Sequence, residues 1–140
     1  PVNVDYSYAA DPTHLAAAAS QFNYTLPFKR YFGGVTLFRR EALETVNGYS
    51  NEYWGWGYED DDMAWRCSFA GYTLQRRLPG LFESLWHEGV KEQERYRNRD
   101  QFLEQRAAKL VHNSDGLSTC QYSVIDRDET EERVWLKVSL

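Results

Sequence analysis

The chain has 140 residues, the size of one domain, and enough to bury a core without disulfide or metal support. Sixteen Lys and Arg against 21 Asp and Glu leave a net charge of -5, which argues against nucleic acid as the main partner. Hydrophobic content of 42% excludes a disordered chain, and no apolar run approaches the ~20 residues of a membrane span.

In chain order, residues 1–10 read as extended or irregular. Asp11 followed by Pro12 is a helix start, with Asp as N-cap and Pro at the first helical position. This predicts a short Ala-rich helix over 13–22. Residues 31–38 are β-rich, and the paired Gly33 and Gly34 mark backbone that another group approaches closely. A helix over 39–46 presents Ala42, Leu43 and Val46 on one face, with Gly48 as its stop.

Residues 51–58 form a loop dense in aromatics and glycine. Glu59-Asp60-Asp61-Asp62 then opens a helix to about Ala70, with Met63, Cys67 and Ala70 facing inward and Gly71 ending it. Two strands, 72–77 and 81–86, flank Pro79-Gly80. Residues 88–98 are polar and read as mobile, before a helix through about His112. A turn at 113–116 leads to a closing hairpin, 118–125 and 133–140, across an acidic loop at 126–132. With no repeat and no linker, the pattern is one mixed α/β domain. Cys67 and Cys120 lack zinc spacing; they either bridge or stand as two thiols.

Aromatics reach 16% of the chain, and Arg outnumbers Lys twelve to four. Flat rings and forked donors suit sugars and phosphates, although an aromatic core under a solvated Arg surface has the same composition. The most informative segment is Tyr53-Trp54-Gly55-Trp56-Gly57-Tyr58-Glu59-Asp60-Asp61-Asp62. Four carboxylates at a helix amino terminus can be a plain acidic cap, because the dipole offsets their repulsion. The Gly-Trp-Gly before them adds a ring to stack on a pyranose beside acceptors for its hydroxyls. A carboxylate there can also act as general base toward a sugar hydroxyl. A glycosidase pair is disfavoured, since its carboxylates flank the scissile bond about 5–10 Å apart, not on one helical turn. Walker, His-Glu-x-x-His and Gly-x-Ser-x-Gly motifs do not occur. On local sequence His87 is structural, exposed or a ligand with distant partners, His14 and His112 are structural, and Phe102 is core.

The runs Tyr31-Phe32-Gly33-Gly34-Val35, Asn47-Gly48-Tyr49, Trp54-Gly55-Trp56-Gly57-Tyr58-Glu59-Asp60-Asp61-Asp62 and Ser114-Asp115-Gly116-Leu117 together resemble the β1,4-galactosyltransferase family. The resemblance spans nearly the whole chain and implies the C-terminal, acceptor-side portion of a glycosyltransferase-A-like α/β fold, a mixed sheet with flanking helices. It implies inverting transfer of galactose from UDP-galactose to a sugar hydroxyl, assisted by Mn²⁺. Asp60 would then be the catalytic base. Glu59, Asp61, Trp54 and Phe102 would bind the acceptor, and Tyr31, Gly34 and Trp56 the donor.

By the same resemblance, His87 would be a metal ligand. Its partner, a Met or His in relatives, is Ser84 or Leu85 here. The family's Asp-x-Asp metal motif belongs just before the segment around Pro1, so the chain reads as a fragment lacking the nucleotide-binding half. The acceptor would be N-acetylglucosamine, glucose or xylose, and the compartment the Golgi lumen in a eukaryote or the cytoplasm in a bacterium. A non-catalytic carbohydrate-binding domain of the same descent is the alternative function, and a purely structural module a third.

Overall fold

The computed structural model describes residues 1–78, 80–85, 92–107 and 114–140. Its elements are β1 (Thr13–His14), β2 (Ala18–Ala19), a 3₁₀ turn (Ser20–Phe22), β3 (Thr36–Leu37), α1 (Arg40–Thr45), α2 (Glu59–Phe69), β4 (Gln75–Arg76), β5 (Leu81–Phe82), α3 (Glu92–Ala107), a second 3₁₀ turn (Leu117–Thr119), β6 (Ser123–Glu129) and β7 (Val134–Ser139).

Residues 12–19 are all buried, and this segment overturns the first helix expectation. A helix there would bury one stripe; this run is enclosed on every side. β1 pairs antiparallel with β3 and parallel with β4, while β2 pairs parallel with β5. The result is two small sheets, a mixed one ordered β3-β1-β4 and a parallel β2-β5 pair, linked by the buried Ala-rich run, where tertiary burial overrides alanine's helix propensity. Small side chains let neighbours approach. Gly34, at φ +85, sits so close that an added Cβ would meet the Ala16 Cβ at 3.0 Å.

The core gathers Phe32, Val46, Met63, Ala64 and Cys67, with Phe38, Leu43, Tyr72 and Leu74 packed against it. It joins α1 and α2 to the segment carrying Phe32, as the apolar spacing of both helices predicts. Ala70, expected inward, is exposed because α2 ends at Phe69 and Ala70 is its C-cap. Gly71 follows at φ +84, the left-handed stop expected of it. Cys67 is buried and Cys120 exposed, and both are free thiols.

α3 starts at Glu92, inside the stretch read as mobile: its polar residues are the solvated face of a helix. The hairpin forms as expected, but Asp126–Glu129 belong to β6 and the turn shrinks to the residues around Thr130–Arg133. Val124, Leu136, Val134 and Val138 share one hairpin face, with Trp135, Lys137, Asp126 and Asp128 on the other. Among the described residues no helix is long and apolar enough to cross a membrane.

A buried polar junction ties the sheet to the glycine segment. The Arg76 guanidinium donates to the carbonyls of Tyr31 (2.8 Å) and Lys29 (2.6 Å) and to His14 Nδ1. An arginine only donates, so Nδ1 accepts, and Nε2–H donates to the Gly33 carbonyl at 2.8 Å. Burial keeps His14 neutral, pushing its pKa down, and the nearby Arg76 charge adds to this. The structural reading of His14 holds. Its place is in a strand, and its work is to fix residues 29–33.

Candidate active site

α2 is preceded by Tyr58, which serves as N-cap in the left-handed region (φ 74) with no side-chain cap. The first turn instead carries Glu59, Asp60, Asp61 and Asp62, whose charges complement the helix dipole. Successive residues on a helix point about 100° apart, so the four carboxylates serve different surroundings. Asp62 turns into the protein and is fully buried against Arg66 at 2.7 Å.

Asp60 faces the glycine segment. A Cβ built on Gly33 would fall 2.2 Å from Asp60 Oδ2 and 2.8 Å from the Tyr31 hydroxyl. The group expected to approach these glycines is thus the Asp60 carboxylate itself, and only glycine leaves room for it. The Asp61 N–H donates to Asp60 Oδ1 at 2.8 Å, which orients the carboxylate. Burial nevertheless pushes the pKa of Asp60 up, against that hydrogen bond. Tyr31 is raised by burial and then by the charges of Asp60, Glu59 and Asp61.

Asp61 points the other way, into a pocket of about 320 Å³ lined by Phe28, Lys29, Arg30, Ala64, Trp65, Phe102 and Arg106. Phe102, buried, packs at 5.6 Å from the Tyr58 ring and 6.4 Å from Trp65, so it is both core and pocket wall. Burial, then the charges of Asp60 and Glu59, push Asp61 up to about 6, with Arg106 and Arg30 opposing. Carbon-13 NMR of the Asp61 carboxyl is expected to give a midpoint near 6. Because this group binds its proton more tightly folded than unfolded, its contribution to stability is greatest below pH 3.8 and is lost as pH rises toward 6. A midpoint near 4 would refute this.

The loop before α2 is held from α3. Asn98, buried, donates from Nδ2 toward the carbonyls of Trp54 (3.1 Å), Trp56 (3.3 Å) and Gly57 (3.0 Å), and Arg97 adds a bond to Trp54 (3.2 Å). The Asn98→Ala variant strands these carbonyls and is expected to cost about 1–3 kcal/mol. Denaturant titration would show it, with a shift in Trp emission. The Trp54 and Trp56 rings stay in solvent, 59% and 47% exposed. Trp56 stacks under the Arg95 guanidinium at 5.3 Å.

A family model described as the N-terminal domain of galactosyltransferase matches residues 13–88, which hold the buried strand, the glycine segment, the tryptophan loop and all of α2. The chain belongs to the β1,4-galactosyltransferase family. It is 38% identical over 122 residues to beta-1,4-galactosyltransferase 4 of Homo sapiens, covering 86% of this chain and 35% of that protein. With beta-1,4-galactosyltransferase 3 of Bos taurus it shares 35% identity over 133 residues, 91% of this chain and 33% of the other. The chain thus spans about a third of the length of these curated relatives.

Its fold matches the catalytic domain of Drosophila β1,4-galactosyltransferase 7, solved with xylobiose, at TM-score 0.74 and 23% identity, covering 99% of this chain and 61% of that one. A mutant of the Drosophila protein solved with manganese, UDP-Gal and xylobiose matches at TM-score 0.64 and 25% identity, with the same coverage. The expected α/β fold with a mixed sheet is the fold found.

Among the residues singled out in this galactosyltransferase-family chain, Tyr31, Asp60 and Asp61 converge on the first turn of α2, with Glu59 beside them and Phe102 across the pocket. Trp54 and Trp56 do not line that pocket. Gly34 faces Ala16 and solvent, one residue from the Asp60 contact. His87 and His112 lie outside the described residues. Among those described, no group of three or more His, Cys, Asp or Glu converges on a metal position. Sequence reading missed Phe28, Arg30, Trp65, Arg106, Asn98 and Arg76, none of which stands in a recognisable motif.

Proposed function

We propose that this chain is the acceptor-side part, residues 1–140, of an inverting glycosyltransferase that moves galactose from UDP-galactose to a sugar hydroxyl. The observation that carries this reading is the split of adjacent carboxylates. Asp60 meets Tyr31 and Gly33 on one side of the turn, and Asp61 enters the aromatic pocket on the other. An acceptor ring lying on Phe102, its hydroxyls held by Asp61 and Glu59, brings its nucleophilic oxygen to Asp60. Asp60 takes the hydroxyl proton as the bond to the donor sugar forms. Its raised pKa makes it a stronger base than an ordinary aspartate.

Tyr31, Gly34 and Trp56 bound the donor side, where Tyr31 limits the substituent at the sugar's second carbon. The loop from Trp54 to Gly57 covers the reacting atoms and excludes water. Trp54 extends the acceptor surface. Manganese, present in the Drosophila complex, neutralises a departing diphosphate when bound. From this chain His87 would hold it. The animal relatives favour the Golgi lumen as the compartment.

Calorimetric titration tests the reading. N-acetylglucosamine or xylose is expected to bind the 140-residue chain, whereas UDP-galactose with Mn²⁺ needs the rest of the catalytic domain. Donor binding by this chain alone would overturn the division of labour, and silence toward every sugar would overturn the acceptor site. A carbohydrate-binding role without chemistry predicts the same acceptor response but no transfer by the longer polypeptide.

A further inference from the structure

We propose that the apolar face of the β6–β7 hairpin is a docking surface for the part of the same catalytic domain that lies outside residues 1–140. This rests on the reading of the chain as one portion of a longer transferase, and concerns a face remote in sequence from the carboxylate turn.

Every residue from 117 to 140 is exposed, although Ser123–Glu129 and Val134–Ser139 are paired into strands. Val124, Val134, Leu136 and Val138 share one face and are each 42 to 52% exposed. Arg127 and Glu129 lie on that face too, opposite Leu136 and Val134, and neutralise each other at 2.6 Å. The other face holds Trp135, Asp126 opposite Lys137, and Asp128, 3.7 Å from Arg133. Among the described residues, the hydrogen bonds and ion pairs of residues 121–140 all stay within the hairpin. Both strands keep an unpaired outer edge there. A two-stranded hairpin is marginal in water unless something packs on it.

Size and charge decide what covers it. Seven residues at about 3.4 Å each, on two strands about 4.8 Å apart, give a face of roughly 230 Å². A separate partner, or a second copy of this chain, needs about 800 Å² on each side. This face is too small to capture either from solution. A surface tethered in the same polypeptide arrives at an effective concentration of about millimolar, so far less contact suffices. Over residues 123–139, five acidic residues stand against three basic ones, which disfavours an anionic membrane. What fits is an uncharged apolar surface, covalently linked. The Drosophila catalytic domain of the same fold has room for one. The match takes in 99% of this chain, hairpin included, and leaves about two-fifths of that domain outside it.

Hydrogen exchange compares the 140-residue chain with the longer polypeptide that carries it. Amides of residues 123–139 are expected to exchange at least about tenfold more slowly in the longer polypeptide. Leu136→Asp should abolish that added protection and lower the melting temperature of the longer polypeptide by about 5 °C or more. In the 140-residue chain the same change should move it by no more than about 1 °C, as at any exposed site. Asp126→Ser, on the opposite face, should have neither effect. If Leu136→Asp prevents folding of the longer polypeptide, the wild-type exchange rates alone decide. Equal exchange in the two polypeptides overturns the docking, and galactosyl transfer by the longer one then leaves the functional reading standing. Light scattering that finds a dimer of the 140-residue chain, lost in Leu136→Asp, assigns the face to a second copy and overturns the proposal as well.

Discussion

Replacing Asp60 with asparagine is expected to lower kcat by roughly 10²–10⁴ in the polypeptide that carries these residues, the usual contribution of a general base. The amide keeps the size and the acceptor oxygen that takes the Asp61 N–H at 2.8 Å, so the acceptor KM should move little. The fold should not weaken. Burial pushes the Asp60 pKa up, which means that ionising it costs the folded state, and a neutral amide removes that cost. The variant should therefore melt at or above the wild-type temperature. Gly33→Ala approaches the same carboxylate from the other side: its Cβ needs the space 2.2 Å from Oδ2, so it displaces the base without replacing any residue of α2. It too should lose turnover. Full activity in Asp60→Asn, or a large fall in its Tm, would end the assignment of Asp60 as base.

What could be read from sequence was what local chemistry encodes. An acid run after Gly-Trp-Gly opens a helix, and α2 with its loop followed from it. Helices α1 and α2 followed from apolar spacing. Residues 13–22 misled because alanine's preference is local, whereas their burial depends on β3, β4 and β5, drawn from three other parts of the chain. The pairing of His14 with Arg76 spans 62 residues. No window of sequence contains it. Equally, Phe28, Arg30 and Arg106 become one wall only when residues 28–30 and the end of α3 meet beside α2, and Asn98 looks like any polar helical residue until three carbonyls of the tryptophan loop meet its amide. Trp54 and Trp56, both exposed, were the conspicuous letters, yet the buried Phe102 lines the pocket.

The Arg66→Met variant is expected to lose about 3–5 kcal/mol of stability, because it leaves a buried carboxylate without its charge partner. Arg66 is buried, and its Nε donates to Asp62 Oδ2 at 2.7 Å. Its other nitrogens reach Asp115 Oδ1 and the Asp115 carbonyl, both at 2.8 Å. Asp115 also accepts from the Ser50 hydroxyl and the Asn51 N–H. One guanidinium thus fastens the turn at 114–116 and the start of the tryptophan loop to α2. Burial pushes Asp115 up, but the Ser50 hydroxyl and the Arg66 guanidinium outweigh it and hold its pKa below 3.8. Asp115 therefore stabilises the fold above its unfolded pKa, and that contribution is lost as pH falls through the folded value. Acidification should narrow the gap between wild type and variant. A lysine cannot span the same acceptors, since it lacks the planar fork, so Arg66→Lys should recover only part of the loss. Urea titrations of the three proteins at pH 7 and pH 3 decide the matter. A loss below about 1 kcal/mol, the worth of an exposed ion pair, would mean that the junction does not hold the loop in place.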